Sequence, residues 1–416
     1  MGSVSSVLLI VYILMVVFGY YLEYLNLTRL RERRLPLPEE LESETDADLL
    51  FKAGAYTVEN AKFGIVSSLY NNAIFLVFLF GGLLFSYDRW IASFGFGLIP
   101  SGILFFVLLS MAGSVLNLPL RLYRTFVIEK RYGFNTTTPL IWTTDLLKGA
   151  ALSTVLMAAG AGAGLWIYGR SPGLWWVWLW CFYLGLSVFL MYLSPYLIEP
   201  LFNKFDPLED TALEESIRGV MGKAGIKVSR VFKMDASRRT AHTNAYFTGV
   251  GRVKRIVLYD TLLEKLSGKE IVAVLSHEIG HWKRRHLLKG ILFTEAAALA
   301  ALYLAYLLLK RDIPNGLFGI SGGSLFTGVF ILGFLGTLAG FPFGPLFSWI
   351  SRRHEREADR YSYELTGETG PMISSLVKLS RDNLSNLHPH PLYVAFRYSH
   401  PPVAERIGYL KSLIGC

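Results

Sequence analysis

At position 277 the chain reads His277-Glu278-Ile279-Gly280-His281. Residues i and i+4 share one helix face, so the two imidazoles can meet a single Zn²⁺ while Glu278 points at the water it carries. The apolar-periodic run Ile271-Val272-Ala273-Val274-Leu275 just upstream supplies the helix. The chemistry this spacing allows is hydrolysis by a zinc-activated water with Glu278 as general base. The plainer alternative is a charged helix end without a metal, because Lys283, Arg284, Arg285 and His286 follow directly.

Catalytic zinc takes three protein ligands and keeps one position open. On a continuous helix His286 sits about 140° off the face of His281, which makes it a poor third ligand. A better supply is Ser351-Arg352-Arg353-His354-Glu355-Arg356-Glu357-Ala358-Asp359, where Glu355 and Asp359 are i, i+4 neighbours. Glu355 could ligate while Asp359 accepts the spare N–H of a ligating imidazole. On spacing alone His354 and Glu357 compete with Glu355, and a solvated charged helix stays open. His400, ahead of Pro401 and Pro402 with Arg406 beyond, is a candidate donor to the oxyanion of a tetrahedral intermediate. A turn role competes for it, and His388 and His390 read as loop residues. Two cysteines, Cys181 and Cys416, exclude a thiolate metal cluster or a disulfide framework.

The elements that must position these groups are set by composition. Of 416 residues 52% are hydrophobic and 18% charged, with a mean hydropathy of +0.39; soluble domains carry about 25% charged residues. Runs of roughly 20 apolar residues, enough for about 30 Å of hydrocarbon, lie near 4–24, 64–86, 94–117, 146–168, 174–198, 287–309 and 325–349. Arg29, Arg31, Arg33, Arg34, Lys52 and Lys62 follow the first, and Arg121, Arg124, Lys130 and Arg131 the third; Arg89 and Arg170 alone follow the second and fourth. The positive-inside rule then puts the N-terminus outside or in the lumen, and both polar segments, 199–286 and 350–416, in the cytoplasm. The net charge of +9 belongs to that orientation, and no nucleic-acid partner is expected.

The expected fold is an all-α polytopic membrane protein of about seven transmembrane helices, with a small cytoplasmic α/β element carrying the zinc site. Residues 1–198 hold helices one to five, 199–286 the α/β segment with the zinc helix, 287–349 helices six and seven, and 350–416 the segment with the third ligand. Within 199–286, Leu208–Ala224 reads as an amphipathic helix, and Val228–Met234, Ala245–Val250 and Arg255–Tyr259 as strands. The acidic stretch Glu39 to Asp48 reads as a solvated loop.

With these residues in view, the chain resembles the type I CAAX prenyl endopeptidases, integral-membrane zinc metalloproteases. Besides the zinc motif, the resemblance rests on Thr125-Phe126-Val127-Ile128-Glu129 with Gly133-Phe134-Asn135, and on Glu199-Pro200-Leu201-Phe202-Asn203-Lys204-Phe205. It extends through His242-Thr243-Asn244-Ala245-Tyr246-Phe247, Arg255-Ile256-Val257-Leu258-Tyr259-Asp260, the block from Ser351 to Asp359, and Ser399-His400-Pro401-Pro402. It implies that His277, His281 and Glu355 ligate one Zn²⁺ and that Glu278 is the general base. It also implies that His400 and Arg406 hold the scissile carbonyl and its oxyanion, that Asn244 lies on the strand along which substrate is laid, and that the seven transmembrane helices enclose a chamber.

The implied substrate is a C-terminal, lipidated peptide or protein, cut among membrane lipids. The implied site is the endoplasmic reticulum membrane in a eukaryote, or the inner membrane in a prokaryote. Two rivals stay open. One is a quality-control protease of broad specificity. The other is a transporter or channel with a structural zinc, weakly favoured by Asn71, Asn72 and Glu295 at membrane depth. Glu278 sets a protease apart from the transporter reading, since a structural site does not require it.

Overall fold

The computed structural model describes residues 2–31, 37–44, 46–248, 253–320 and 322–414. Among the described residues, seven helices are long and apolar enough to cross a bilayer: Ser3–Leu30, Ala47–Leu79, Leu98–Leu116, Pro139–Arg170, Trp175–Leu201, His286–Lys310 and Leu325–Thr366. Numbered as spans one to seven, they contact one another in a closed circuit. Span one lies against two and seven, three against four, four against five, five against six, and six against seven. The short helix Leu83–Ala92 links span two to span three and touches span seven. Few residues within the spans are buried against protein. Tyr12, Leu79, Leu84, Ile91, Phe105 and Phe334 form one apolar cluster joining spans one, two, three and seven with that short helix.

Two sequence expectations shift. Span two runs Ala47–Leu79, earlier than the apolar run at 64–86, because Gly81 and Gly82 end it; Gly82 takes φ +83°, which a side chain would resist. The acidic stretch is no free loop. Glu39–Glu42 form a helical turn with Leu41 buried against the helix Gly370–Asp382, and Lys411 pairs with Glu40 at 2.5 Å. Asp46 then caps span two by accepting from the Leu49 amide at 2.7 Å. Val250, Arg33, Arg34 and Cys416 lie outside the described residues.

Between spans five and six lies a four-stranded sheet of β1 (Phe205–Pro207), β2 (Lys227–Met234), β3 (Ala245–Thr248) and β4 (Val253–Tyr259), in the order β1-β2-β4-β3. β2 and β4 run parallel and the outer pairs antiparallel, with Met234 opposite Tyr259. The three-residue β1 is too short to show a sequence period. The helix Thr211–Lys223, capped by Asp210, packs with the sheet and the zinc-motif helix through Ile217, Met221, Val231, Ile256 and Leu258.

Span seven matters most for the site. Its helix Leu325–Gly340 passes through a tight turn at Phe341–Phe343, beside Pro342 and Pro345, into a second helix, Gly344–Thr366. The block containing Glu355 is thus the continuation of a membrane helix, so its rotation is set by that rod.

Candidate active site

The motif helix spans Gly268–Lys283. Ser267 and Glu270 form a reciprocal capping box at its start. The Glu270 carboxylate also accepts from Ser374 Oγ at 2.5 Å and from Lys378 Nζ at 2.9 Å, tying the helix to Gly370–Asp382. Burial works against its charge, yet Lys378, Ser374 and Ser267 hold its pKa down at about 2. One stripe, Ile271, Leu275 and Ile279, enters the apolar core beneath the sheet. The other face meets the helix Gly344–Thr366, where Ser362 Oγ donates to the Ala273 carbonyl at 3.0 Å. That approach needs Gly280, since a Cβ there would stand 2.8 Å from Ala358 Cα and 3.0 Å from its carbonyl oxygen.

Two helices separated by spans six and seven therefore converge. His277 Nε2 lies 3.2 Å from His281 Nε2, Glu355 Oε1 lies 3.2 Å from His281 Nε2, and Glu355 Oε2 lies 3.5 Å from His277 Nε2. One ligand atom from each residue falls within 4.8 Å of the others. Glu355 is buried; its Oε2 makes no well-directed hydrogen bond among the described residues, although His400 Nδ1 stands 2.8 Å from it. A buried carboxylate ringed by imidazoles costs free energy unless protons or a cation stand between them.

The surroundings of His277 fit such a cation. Its Nδ1 stands 2.8 Å from Asp359 Oδ1, so Nδ1 carries a proton in either charge state and Nε2, once it gives up its own, turns a lone pair toward Glu355 and His281. Asp359 is held in turn by Arg406, whose Nε and Nη2 donate to its two oxygens at 2.9 and 2.5 Å. Burial opposes a charge on His277, but the Asp359 and Glu355 carboxylates hold its pKa up at about 9. A metal entering here must displace that proton. Two imidazoles and one carboxylate, with no thiolate, form a donor set that suits zinc.

The remaining sequence candidates are placed as follows. Glu278 is half-buried on the motif helix, and its charge is felt at Arg406. His400 is exposed in the bend before Pro401, with Nδ1 2.8 Å from Glu355 Oε2. Arg406 is buried at the start of the helix Val403–Ser412; its Nη1 lies 3.6 Å from Glu355 Oε2. Asn244 is exposed immediately before β3, its Oδ1 accepting from the Ala245 amide at 2.8 Å. β3 is the end strand of the sheet and packs against the motif helix. His390 caps the helix Pro391–Arg397 by accepting from the Leu392 amide at 3.2 Å.

Sequence reasoning missed two groups. His286 stands directly behind His281, Nδ1 to Nδ1 at 3.0 Å, with Glu357 on its far nitrogen and His354 stacked on its ring. His242, at the entry to β3, is clamped by Asn383 at 2.6 Å, by Glu129 at 3.7 Å and by Phe134 stacked at 4.3 Å. The only sequence signal for the second was that His242, Glu129 and Phe134 all belong to the resembling blocks.

Comparison with known proteins extends this geometry to the whole chain. Residues 26–204 match the profile described as CAAX prenyl protease N-terminal, five membrane helices, and residues 207–414 match Peptidase family M48. CAAX prenyl protease 1 of Saccharomyces cerevisiae is 34% identical, over 94% of this chain and 91% of that protein. The CAAX prenyl protease 1 homolog of Arabidopsis thaliana is 34% identical over 94% and 95%. The crystal structure of S. mikatae Ste24p superposes with a TM-score of 0.92 at 31% identity, covering 99% of each chain. A hydrolytic ligand set divided between two helices, inside a fold matched from end to end, has one reading: the chain belongs to peptidase family M48, as a metalloprotease that spans the membrane.

Proposed function

We propose that this chain is a zinc metalloendopeptidase that cleaves prenylated C-terminal Cys-aliphatic-aliphatic-X peptides after the modified Cys. The observation that carries the reading is the meeting of His277, His281 and Glu355, one ligand atom from each within 4.8 Å of the others, with Glu278 on the same helix as the two imidazoles. Those three residues hold the zinc. When bound, it supplies a Lewis acid that makes water nucleophilic near neutral pH. Glu278 accepts the proton of the attacking water and returns it to the leaving amine. His400, the exposed donor at the rim, hydrogen-bonds the developing oxyanion. Arg406, with two nitrogens committed to Asp359, orients His277 and leaves Nη1 toward the carbonyl.

The peptide adds to the outer edge of β3, in line with Asn244, so extended backbone is read more than any one side chain. The apolar walls and surrounding lipids take the prenyl group. Loop charges put the N-terminus outside or in the lumen and the site at the cytoplasmic side, in the endoplasmic reticulum or a bacterial inner membrane according to the source.

The test is Glu278→Gln in detergent-purified protein. The variant should keep its zinc and its fold and lose peptide cleavage; undiminished hydrolysis removes the assignment.

A further inference from the structure

We propose that His286 is a positioning residue which, braced by Glu357, fixes His281 in the tautomer that turns its Nε2 lone pair toward the metal. The inference rests on the zinc reading above and adds two residues to it.

The geometry assigns each proton. Glu357 Oε2 lies 3.0 Å from His286 Nε2, and an ionised carboxylate can only accept, so the His286 proton sits on Nε2. A neutral ring has one N–H, which leaves His286 Nδ1 an acceptor. The atom facing it at 3.0 Å is His281 Nδ1, which must therefore donate. His281 Nε2 is thus bare, and it points at His277 Nε2 and Glu355 Oε1. Asp359 does the same for His277 directly; His281 receives its carboxylate support through an interposed imidazole.

The surroundings hold the relay in register. His286 is buried, and the His354 ring lies flat on it at 3.9 Å with 10° between planes. Glu357 is steadied by Arg353 at 3.3 Å. Arg285 turns the chain between the motif helix and span six with φ +55°, a left-handed conformation uncommon for a residue with a side chain. That turn brings His286 back beside His281, where a continuous helix would have carried it away.

Zinc affinity measured by chelator competition on the full-length purified protein tests this. His286→Phe keeps the stack and removes the acceptor; it should weaken zinc binding roughly 10–100-fold. His286→Asn places an amide oxygen near the Nδ1 position and should restore most of that loss. Glu357→Leu should weaken binding, while Glu357→Gln, whose amide oxygen still accepts, should largely preserve it. Unchanged affinity in His286→Phe, or Asn no better than Phe, overturns the proposal. If His286→Phe does not fold, Glu357→Leu decides, because that side chain is only partly buried. An unmodified protein that takes up no zinc contradicts the underlying metal reading instead.

Discussion

Asp359 is shared between Arg406 and His277. Arg406 occupies both carboxylate oxygens, at 2.9 and 2.5 Å, and His277 Nδ1 stands 2.8 Å from Oδ1. All three side chains are buried, so one carboxylate neutralises an enclosed guanidinium and orients a metal-facing ring together.

Substitutions at Asp359 should separate the two duties. Asp359→Leu leaves Arg406 as an uncompensated buried charge and should destabilise by about 3–5 kcal/mol. Asp359→Asn keeps the shape and one acceptor. It should fold, while zinc affinity falls roughly 10–100-fold. Thermal unfolding and chelator competition read the two effects apart; equal behaviour of the variants would deny the shared role.

Gly280→Ala should damage a site it does not enter. Its Cβ would press on Ala358 backbone atoms at 2.8 and 3.0 Å, which cannot swing aside as a side chain does. The expected loss is about 1–3 kcal/mol of stability, with weaker zinc binding as Glu355 moves off the imidazoles. Gly219→Ala, on the helix Thr211–Lys223 with open space around the new Cβ, is the control. It should be neutral or stabilise by roughly 0.5–1 kcal/mol. Full stability and zinc binding in Gly280→Ala would mean the helices are not wedged there.

The Glu270 clamp predicts an acid limb. Its folded pKa of about 2 lies below the ordinary 4.5, so its contribution is complete above about 4.5 and fades as pH falls toward 2. Glu270→Gln should therefore unfold at lower temperature than the unmodified protein near neutral pH, with the gap closing between about 4.5 and 2. A gap that stays constant through that range would show that charge is not what anchors the motif helix.

Much of this was legible in the chain because it repeats with simple periods. Apolar runs of membrane length located all seven spans, and the i, i+4 spacing of His277 with His281 and of Glu355 with Asp359 put each pair on one helix face. Spacing could not rank Glu355 against His354 and Glu357, because one helical turn presents all three. Their separation comes from the rotation of the rod leaving span seven: Glu355 faces the imidazole pair, while His354 and Glu357 face His286. His286 itself was hidden by the left-handed Arg285, since angular reasoning holds only along an unbroken helix. Leu41 was hidden for another reason: four acidic neighbours mask one apolar side chain whose partner lies far along the chain.

Substrate chemistry gives a fourth prediction. Matched C-terminal peptides with and without a prenyl group should differ in kcat/KM in favour of the lipidated one. Equal rates would favour a protease of broad specificity.

The central claim is that Glu355 completes the metal site begun by His277 and His281. Metal analysis of purified unmodified protein and of Glu355→Ala tests it most directly. One zinc per chain is expected in the first and a measurable loss in the second; stoichiometric zinc in Glu355→Ala would contradict it.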